Sequence, residues 1–291
     1  MSQIAITGST GHIGGLVAAQ LASLAPRLVV RDASRAPRIA GATVVEAEYS
    51  DAAAAVTALT GVDLLFMVSA SEAVDRREQH RTFIRAAAEA GVGHIVYTSF
   101  FGADPDAVFT LGRDHADAEA AIRESGMAFT LLRDNFYSDL LPYFADDAGV
   151  IRGPAGHGRV AAVARADVAD VASAVLRDPG AHADVVYELT GPEALTLAEV
   201  AARAGAVLGR PLAYAAETVE EAYASRAHYG AEPWQLDAWV STYTAIADGE
   251  VSRVTGDVRT VTGNAPRTIE RALGGSLTRR SDGFPDRRAP L

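Results

Sequence analysis

The chain has 291 residues, 49% of them apolar, which is enough for one large α/β domain with a buried core, alone or with a small appended lobe. It contains no cysteine, so disulfides, thiolate nucleophiles and cysteine-bound metals are excluded, and its formal net charge of −11 argues against a general nucleic-acid partner. All 26 of its basic residues are arginine, which removes lysine Schiff bases, P-loop lysines and the Tyr-x-x-x-Lys catalytic pair from consideration.

In the first half, short β-branched runs alternate with alanine-rich helical patterns. The runs predict strands at Ile4 to Thr7, Leu28 to Arg31, Thr43 to Glu46, Leu64 to Val68, His94 to Thr98 and Ala128 to Leu132. Helices fit between them at Ile13 to Leu24, Ala52 to Leu59, Arg76 to Ala90 and Asp114 to Ser125. This rhythm predicts a Rossmann-type, doubly wound parallel sheet over residues 1–135. Beyond Asn135 the pattern loosens. Strands are expected near Arg159 to Ala164 and Val185 to Leu189, and helices at Asp167 to Leu176, Thr196 to Leu208 with Thr196 as N-cap, Val219 to His228 and Trp234 to Asp248. Residues 136–275 are read as a smaller C-terminal α/β substrate lobe over the carboxyl edge of the sheet, with the chain returning to that sheet within this span. Residues 276–291, rich in Arg, Asp, Ser and Pro, read as a flexible tail.

The segment Gly8-Ser9-Thr10-Gly11-His12-Ile13-Gly14 follows an apolar strand and opens a helix. Its G-x-x-G-x-x-G spacing suits a dinucleotide: Gly8 for a tight turn, Gly11 for close approach of backbone to a pyrophosphate, Gly14 for close packing of the helix. The helix start then offers N–H groups and a positive dipole end to the phosphates. At the end of the second strand Arg31 precedes Asp32, with Arg35 nearby. An arginine here pairs with the 2′-phosphate of NADPH, whereas an acidic residue would hold the ribose of NADH, so NADPH is favoured over NADH.

With these blocks, the segment Ala90-Gly91-Val92-Gly93-His94-Ile95-Val96-Tyr97-Thr98-Ser99 and the segment Phe129-Thr130-Leu131-Leu132-Arg133-Asp134-Asn135-Phe136-Tyr137-Ser138 in place, the chain resembles the NmrA-like atypical short-chain dehydrogenase/reductases. Within them it looks most like the NADPH:quinone oxidoreductase type 2 and triphenylmethane reductase branch, to about Leu273. The resemblance implies that Gly8 to Ile13 hold the pyrophosphate, that Arg31 meets the adenosine phosphate, and that Ser69, Ala70 and Ser71 line the cofactor channel. Ala70 lacks the hydroxyl of members with serine at that position. It further implies that Asp134 to Asp139, including Asn135 and Phe136, border the nicotinamide and the substrate entrance, and that Thr98 and Ser99 belong to the cofactor site.

His115 and Glu119 stand one helical turn apart where related reductases carry the Tyr and Lys pair. They read either as a proton relay or as an exposed helix face with an i, i+4 hydrogen bond. Tyr137 and Asn135 are candidates for orienting the nicotinamide or the acceptor, and Phe100, Phe101 and Phe136 either stack on a flat substrate or pack the core. Tyr97 is either a hydrogen-bond donor at a strand end or a buried bridge. No spaced histidine cluster and no G-x-S-x-G elbow occur, so neither a metal site nor a serine hydrolase is expected. The expectation is an NADPH-dependent reductase passing hydride to a quinone or similar planar small-molecule acceptor; the alternative is a non-catalytic, NADP(H)-binding redox sensor. No apolar run reaches the roughly 18 residues that span a bilayer, and no signal peptide is recognised. A cytoplasmic protein without a membrane partner is expected, with a homodimer left open.

Overall fold

The computed structural model describes residues 2–277. Its elements run β1 (Ile4–Thr7), α1 (His12–Gln20), β2 (Arg27–Val30), β3 (Thr43–Glu46), α2 (Ala52–Leu59), β4 (Leu64–Met67), α3 (Arg76–Glu89), β5 (His94–Phe100), α4 (Thr110–Glu124) and β6 (Ala128–Asp134). They continue with β7 (Val150–Gly153), β8 (Arg159–Val160), α5 (Arg165–Arg177), β9 (Val185–Leu189), β10 (Leu195–Thr196), α6 (Leu197–Leu208), β11 (Ala213–Ala216), α7 (Val219–Arg226), α8 (Pro233–Ala247), α9 (Asp257–Thr262) and α10 (Ile269–Leu277).

Seven strands form one parallel sheet in the order β3-β2-β1-β4-β5-β6-β9. The order reverses direction between β1 and β4, and it is at such a switch point that the carboxyl ends of the strands open a crevice for a ligand. β1 and β4 are buried along their whole length, as expected of central strands covered on both faces. Alternate residues of the strands feed two separate cores. Ile4, Ile6, Phe66, Val96 and Leu132 meet α1 and α5 on one face, while Ala5, Leu65, Met67, Tyr97 and Leu131 meet α2, α3 and α4 on the other. A third core, built on Phe100, Phe109, Ile151, Val200, Tyr243 and Ile246, fills the space beneath the small strand pairs β8-β10 and β7-β11 and the helices α6 and α8.

The second half departs from the sequence expectation in instructive places. Of the strand expected at Arg159 to Ala164, only Arg159–Val160 pairs as a strand, with β10. The following residues bond to different segments, Ala161 to Val251 and Gly191, and Val163 to Phe136 and Ser138, and so stitch lobe to sheet without making a ladder. β7 and β11, paired in parallel, and the short helices α9 and α10 were not expected. Thr196 does cap α6, its hydroxyl accepting from the Glu199 amide while the Glu199 carboxylate accepts from the Thr196 amide. Of the tail expected from Ser276, residues 276–277 belong to α10, and the remainder lies outside the described residues.

One charged network holds α4 to the sheet. Glu119, 1% exposed, accepts from Arg133 of β6 (2.7 and 2.8 Å), from Arg123 (3.1 Å) and from the Ser99 hydroxyl (2.6 Å). A carboxylate this deep is tolerated only while its partners remain. Arg133→Ala is therefore expected to lower unfolding free energy by about 3 kcal/mol in urea titration, and a loss under about 1 kcal/mol would show that Arg123 and Ser99 suffice.

Candidate active site

The crevice begins at the turn between β1 and α1. Gly8 has φ +63°, and a Cβ there would stand 2.8 Å from Cβ of Val68 on the neighbouring strand end. A Cβ on Gly14 would stand 2.3 Å from the Gly8 carbonyl oxygen, so α1 rests directly on the turn it follows. Gly11 is different: its added Cβ would meet only the Gly8 oxygen at 3.3 Å, and the space beyond is open. Gly11 is also the N-cap of α1 and supplies no side-chain acceptor to the helix start. Beside it, the Ser9 hydroxyl is buried and has no partner among the described residues. An uncapped helix start, an orphaned hydroxyl and an open face over Gly11 are what a pyrophosphate would satisfy, so the residues present fit the dinucleotide that the motif implies. His12, the first residue of α1, places its imidazole 4.0 Å from the Asp139 carboxylate.

At the far end of the crevice, Arg31 is exposed and makes no hydrogen bond or ion pair among the described residues. Asp32 is engaged locally through one of its two carboxylate oxygens. It caps the short 3-10 turn Ala33–Arg35, accepting from the Ser34 amide (2.9 Å) and the Ser34 hydroxyl (2.6 Å). Those bonds, together with Arg35, hold its carboxyl below the ordinary range. A groove lined by Ser34, Pro37, Arg38, Ile39 and Val44 opens next to them.

The middle wall is the loop after β4. Val68 donates its amide to the Thr7 hydroxyl (2.9 Å) and Ser69 donates its own to the Thr98 hydroxyl (2.8 Å), while the Tyr49 hydroxyl donates to the Val68 carbonyl (2.5 Å). Thr98 thus serves the cofactor wall from behind. Ser99 cannot serve it through its side chain, because its hydroxyl is given to Glu119 on the opposite face of the sheet.

Two groups expected to handle protons or the nicotinamide are committed elsewhere. His115 is buried; its Nε2 lies 3.0 Å from a guanidinium nitrogen of Arg76 and its Nδ1 lies 3.0 Å from the Tyr97 hydroxyl. The guanidinium can only donate, so Nε2 accepts and Nδ1 carries the proton that goes to Tyr97. Burial and Arg76 together push the imidazole far below its ordinary range, so it stays neutral. Glu119 is not its partner, and neither the relay nor the exposed-face reading holds. Tyr97 is the buried bridge, from β5 to α4. Asn135 is likewise spent: its amide nitrogen donates to the Val251 carbonyl (3.0 Å), its amide oxygen accepts from Phe136 (2.8 Å) and its backbone amide donates to Leu189 (3.0 Å). It ties three chain segments together.

Asp134, Phe136, Tyr137 and Ser138 remain at the mouth. The Tyr137 hydroxyl donates to one oxygen of Asp134 (3.0 Å); the other oxygen, and the Ser138 hydroxyl, are buried without partners. Among the described residues no cation pairs with Asp134, so burial pushes its carboxyl well above its ordinary value, opposed only by the Tyr137 hydroxyl. Burial, reinforced by Asp134, raises the Tyr137 phenol in turn. Phe136 is half-buried against Phe100 (5.0 Å between centroids) and Phe109 (5.2 Å), and Phe101 lies in the lobe core under the Arg253 guanidinium. Asp139, the last residue of the span expected to border the nicotinamide, accepts from the backbone and side chain of Arg165 and so fixes the start of α5. Arg76 and His80 were also missed, although two polar residues at the head of the buried stripe Phe83, Ile84 and Ala87 are a readable signal.

A family profile described as NAD(P)H-binding matches residues 8–179. Quinone oxidoreductase 2 of Escherichia coli (strain K12) is 40% identical over 220 residues, covering 72% of this chain and 76% of that protein. The NAD(P)H azoreductase of Xenophilus azovorans is 34% identical over 273 residues, covering 91% of this chain and 95% of that protein. Among solved structures, the NADPH-dependent quinone oxidoreductase QOR2 of Escherichia coli complexed with NADPH superposes with a TM-score of 0.84 at 32% identity, covering 94% of this chain and 100% of that one. The chain belongs to the NAD(P)H-binding family, within the NmrA-like branch of the atypical short-chain dehydrogenase/reductases that its motifs resemble.

Proposed function

We propose that the protein is an NADPH-dependent oxidoreductase that transfers hydride to a quinone or a similar planar, electron-poor acceptor. The observation that carries this reading is the crevice itself: a glycine turn with an orphaned Ser9 hydroxyl at one end of the cofactor's path, and an unpaired Arg31 beside a self-capped Asp32 at the other. Related proteins of similar length support it by their names, as a quinone oxidoreductase and an azoreductase. Bound along this path, the reduced nicotinamide supplies a hydride.

The chain's own residues bind and orient. Gly8 to Ile13 present backbone amides to the pyrophosphate, Arg31 takes the 2′-phosphate with Arg35 and Arg38 close behind, and Ser69 to Ser71 form the wall. Tyr137, held by Asp134, and Phe136 border the acceptor. With His115 neutral and enclosed and Asn135 spent on backbone groups, no residue among these is set to protonate a reluctant carbonyl during the transfer. The site therefore suits an acceptor that is electrophilic before it arrives, whose oxygen or nitrogen takes its proton from water afterwards.

Arg31→Ala is expected to raise KM for NADPH about tenfold or more, since charge-assisted contacts to a phosphate are worth about 1.5–3 kcal/mol, and to leave KM for NADH nearly unchanged. Steady-state kinetics with both nucleotides and a panel of quinones decides this; nucleotide binding without turnover of any acceptor would favour the sensor reading instead. A second expectation concerns Asp134. Because burial raises its carboxyl, the folded chain keeps that proton to higher pH than the unfolded chain, and stability is lost as pH rises from the ordinary value of 3.8 through the raised one. Asp134→Asn retains an acceptor for Tyr137 without the titration, so its stability relative to wild type is expected to grow as pH rises above the ordinary carboxyl value of 3.8; an advantage independent of pH would refute the assignment.

A further inference from the structure

The β4 ladder ends at Met67, and beyond it the backbone is held by side chains from three other elements. The amides of Val68, Ser69 and Ala70 go in succession to Thr7 of β1, Thr98 of β5 and His80 of α3, the last at 2.8 Å. The Ala70 carbonyl accepts from Nε of Arg76 at 2.9 Å, so both polar backbone groups of Ala70 are held by one helix. Arg76 is 4% exposed and is itself seated: one terminal nitrogen lies 3.0 Å from His115, the other 3.4 Å from the Asp114 carboxylate, which also pairs with Arg77 at 2.6 Å. His115 is in turn fixed by Tyr97.

A guanidinium and two imidazoles taken out of water are a costly way to hold an alanine, and a loop that needed only to be folded would not require them. What distinguishes this loop is its neighbour, for Val68 abuts the position a Gly8 side chain would occupy, so that the spacing between the loop and the dinucleotide turn is set to within an ångström. We propose that Arg76 and His80, with His115 seated behind Arg76, are positioning residues for NADPH: by fixing both backbone groups of Ala70 they hold the wall 68–71 at the spacing from the Gly8 turn that the bound dinucleotide requires. The inference rests on the proposed cofactor reading. It also gives His115 a role different from proton transfer, and it explains why an alanine suffices at position 70, where the contacts are made by backbone.

The experiment is a comparison of His80→Leu with His80→Gln in the full-length protein. NADPH affinity is read by quenching or enhancement of nicotinamide fluorescence, and turnover is measured with a quinone at saturating NADPH. Leucine leaves the Ala70 amide unpaired, so His80→Leu is expected to raise both Kd and KM for NADPH about tenfold while kcat and the acceptor KM stay within about twofold. The glutamine amide oxygen can accept from Ala70, and His80→Gln is expected to return NADPH affinity to within about threefold of wild type. A folded His80→Leu whose NADPH affinity matches wild type, or one that loses kcat while keeping its KM for NADPH, overturns the proposal. Should His80→Leu not fold, Arg76→Lys carries the same test, because an ammonium keeps the charge but cannot reach Ala70, His115 and Asp114 together; about a fivefold loss of NADPH affinity is expected and unchanged affinity overturns the proposal. Wild-type protein that binds no NADPH would instead remove the parent reading, and this inference with it.

Discussion

The architecture turns on a contact that admits no side chain. Gly14 lies so close to the Gly8 carbonyl that α1 begins on top of the β1 turn, and this places the helix's uncapped amides at the switch point of the sheet. From that fixed point the remaining features acquire their places: the Ser9 hydroxyl beside the turn, the β4 loop on the neighbouring strand, and the β6 end two strands further along the same side of the sheet. Displacing α1 by the width of a methyl group would separate the dipole end from the turn that shares its ligand.

Electrostatics in the crevice follow from burial more than from opposed charges. His80 is pushed down to about 3 by burial and by Arg76, and His115 is lowered by the same two causes, while Asp134 moves upward for want of a cation. The two imidazoles are thereby kept neutral at ordinary pH, and for all three groups burial works against the charged form. Charge is concentrated where a phosphate would lie, at Arg31, Arg35 and Arg38, all exposed.

Much of this was legible in the residues. The parallel sheet could be read from β-branched runs because the central strands are buried on both faces, and β1, β3, α2 and β9 have the bounds that pattern gave. The glycine spacing found the turn because strand and helix flank it. What could not be read was the destination of polar side chains. Asn135 and Ser99 have the chemistry of ligand contacts, yet Asn135 closes backbone bonds between segments more than a hundred residues apart and Ser99 points to the opposite face of the sheet. His115 looked like a relay because sequence shows only its i+4 neighbour, whereas Arg76 and Tyr97 reach it from other elements. β7 and β11 escaped because each is four residues long and leans on the other across some sixty positions of chain, a pairing with no local signal.

The bonds of Asn135 bear on how anything enters. One residue at the root of the cleft, Asn135, bonds to β9 through its backbone amide and to the 251 loop of the lobe through its side chain, and the aromatic trio of Phe100, Phe109 and Phe136 packs around the same root. A cleft riveted at its base cannot gape like a jaw. On the proposed cofactor reading, a base tied in this way favours entry over the outer rim, where thin, flat molecules pass more readily than bulky ones.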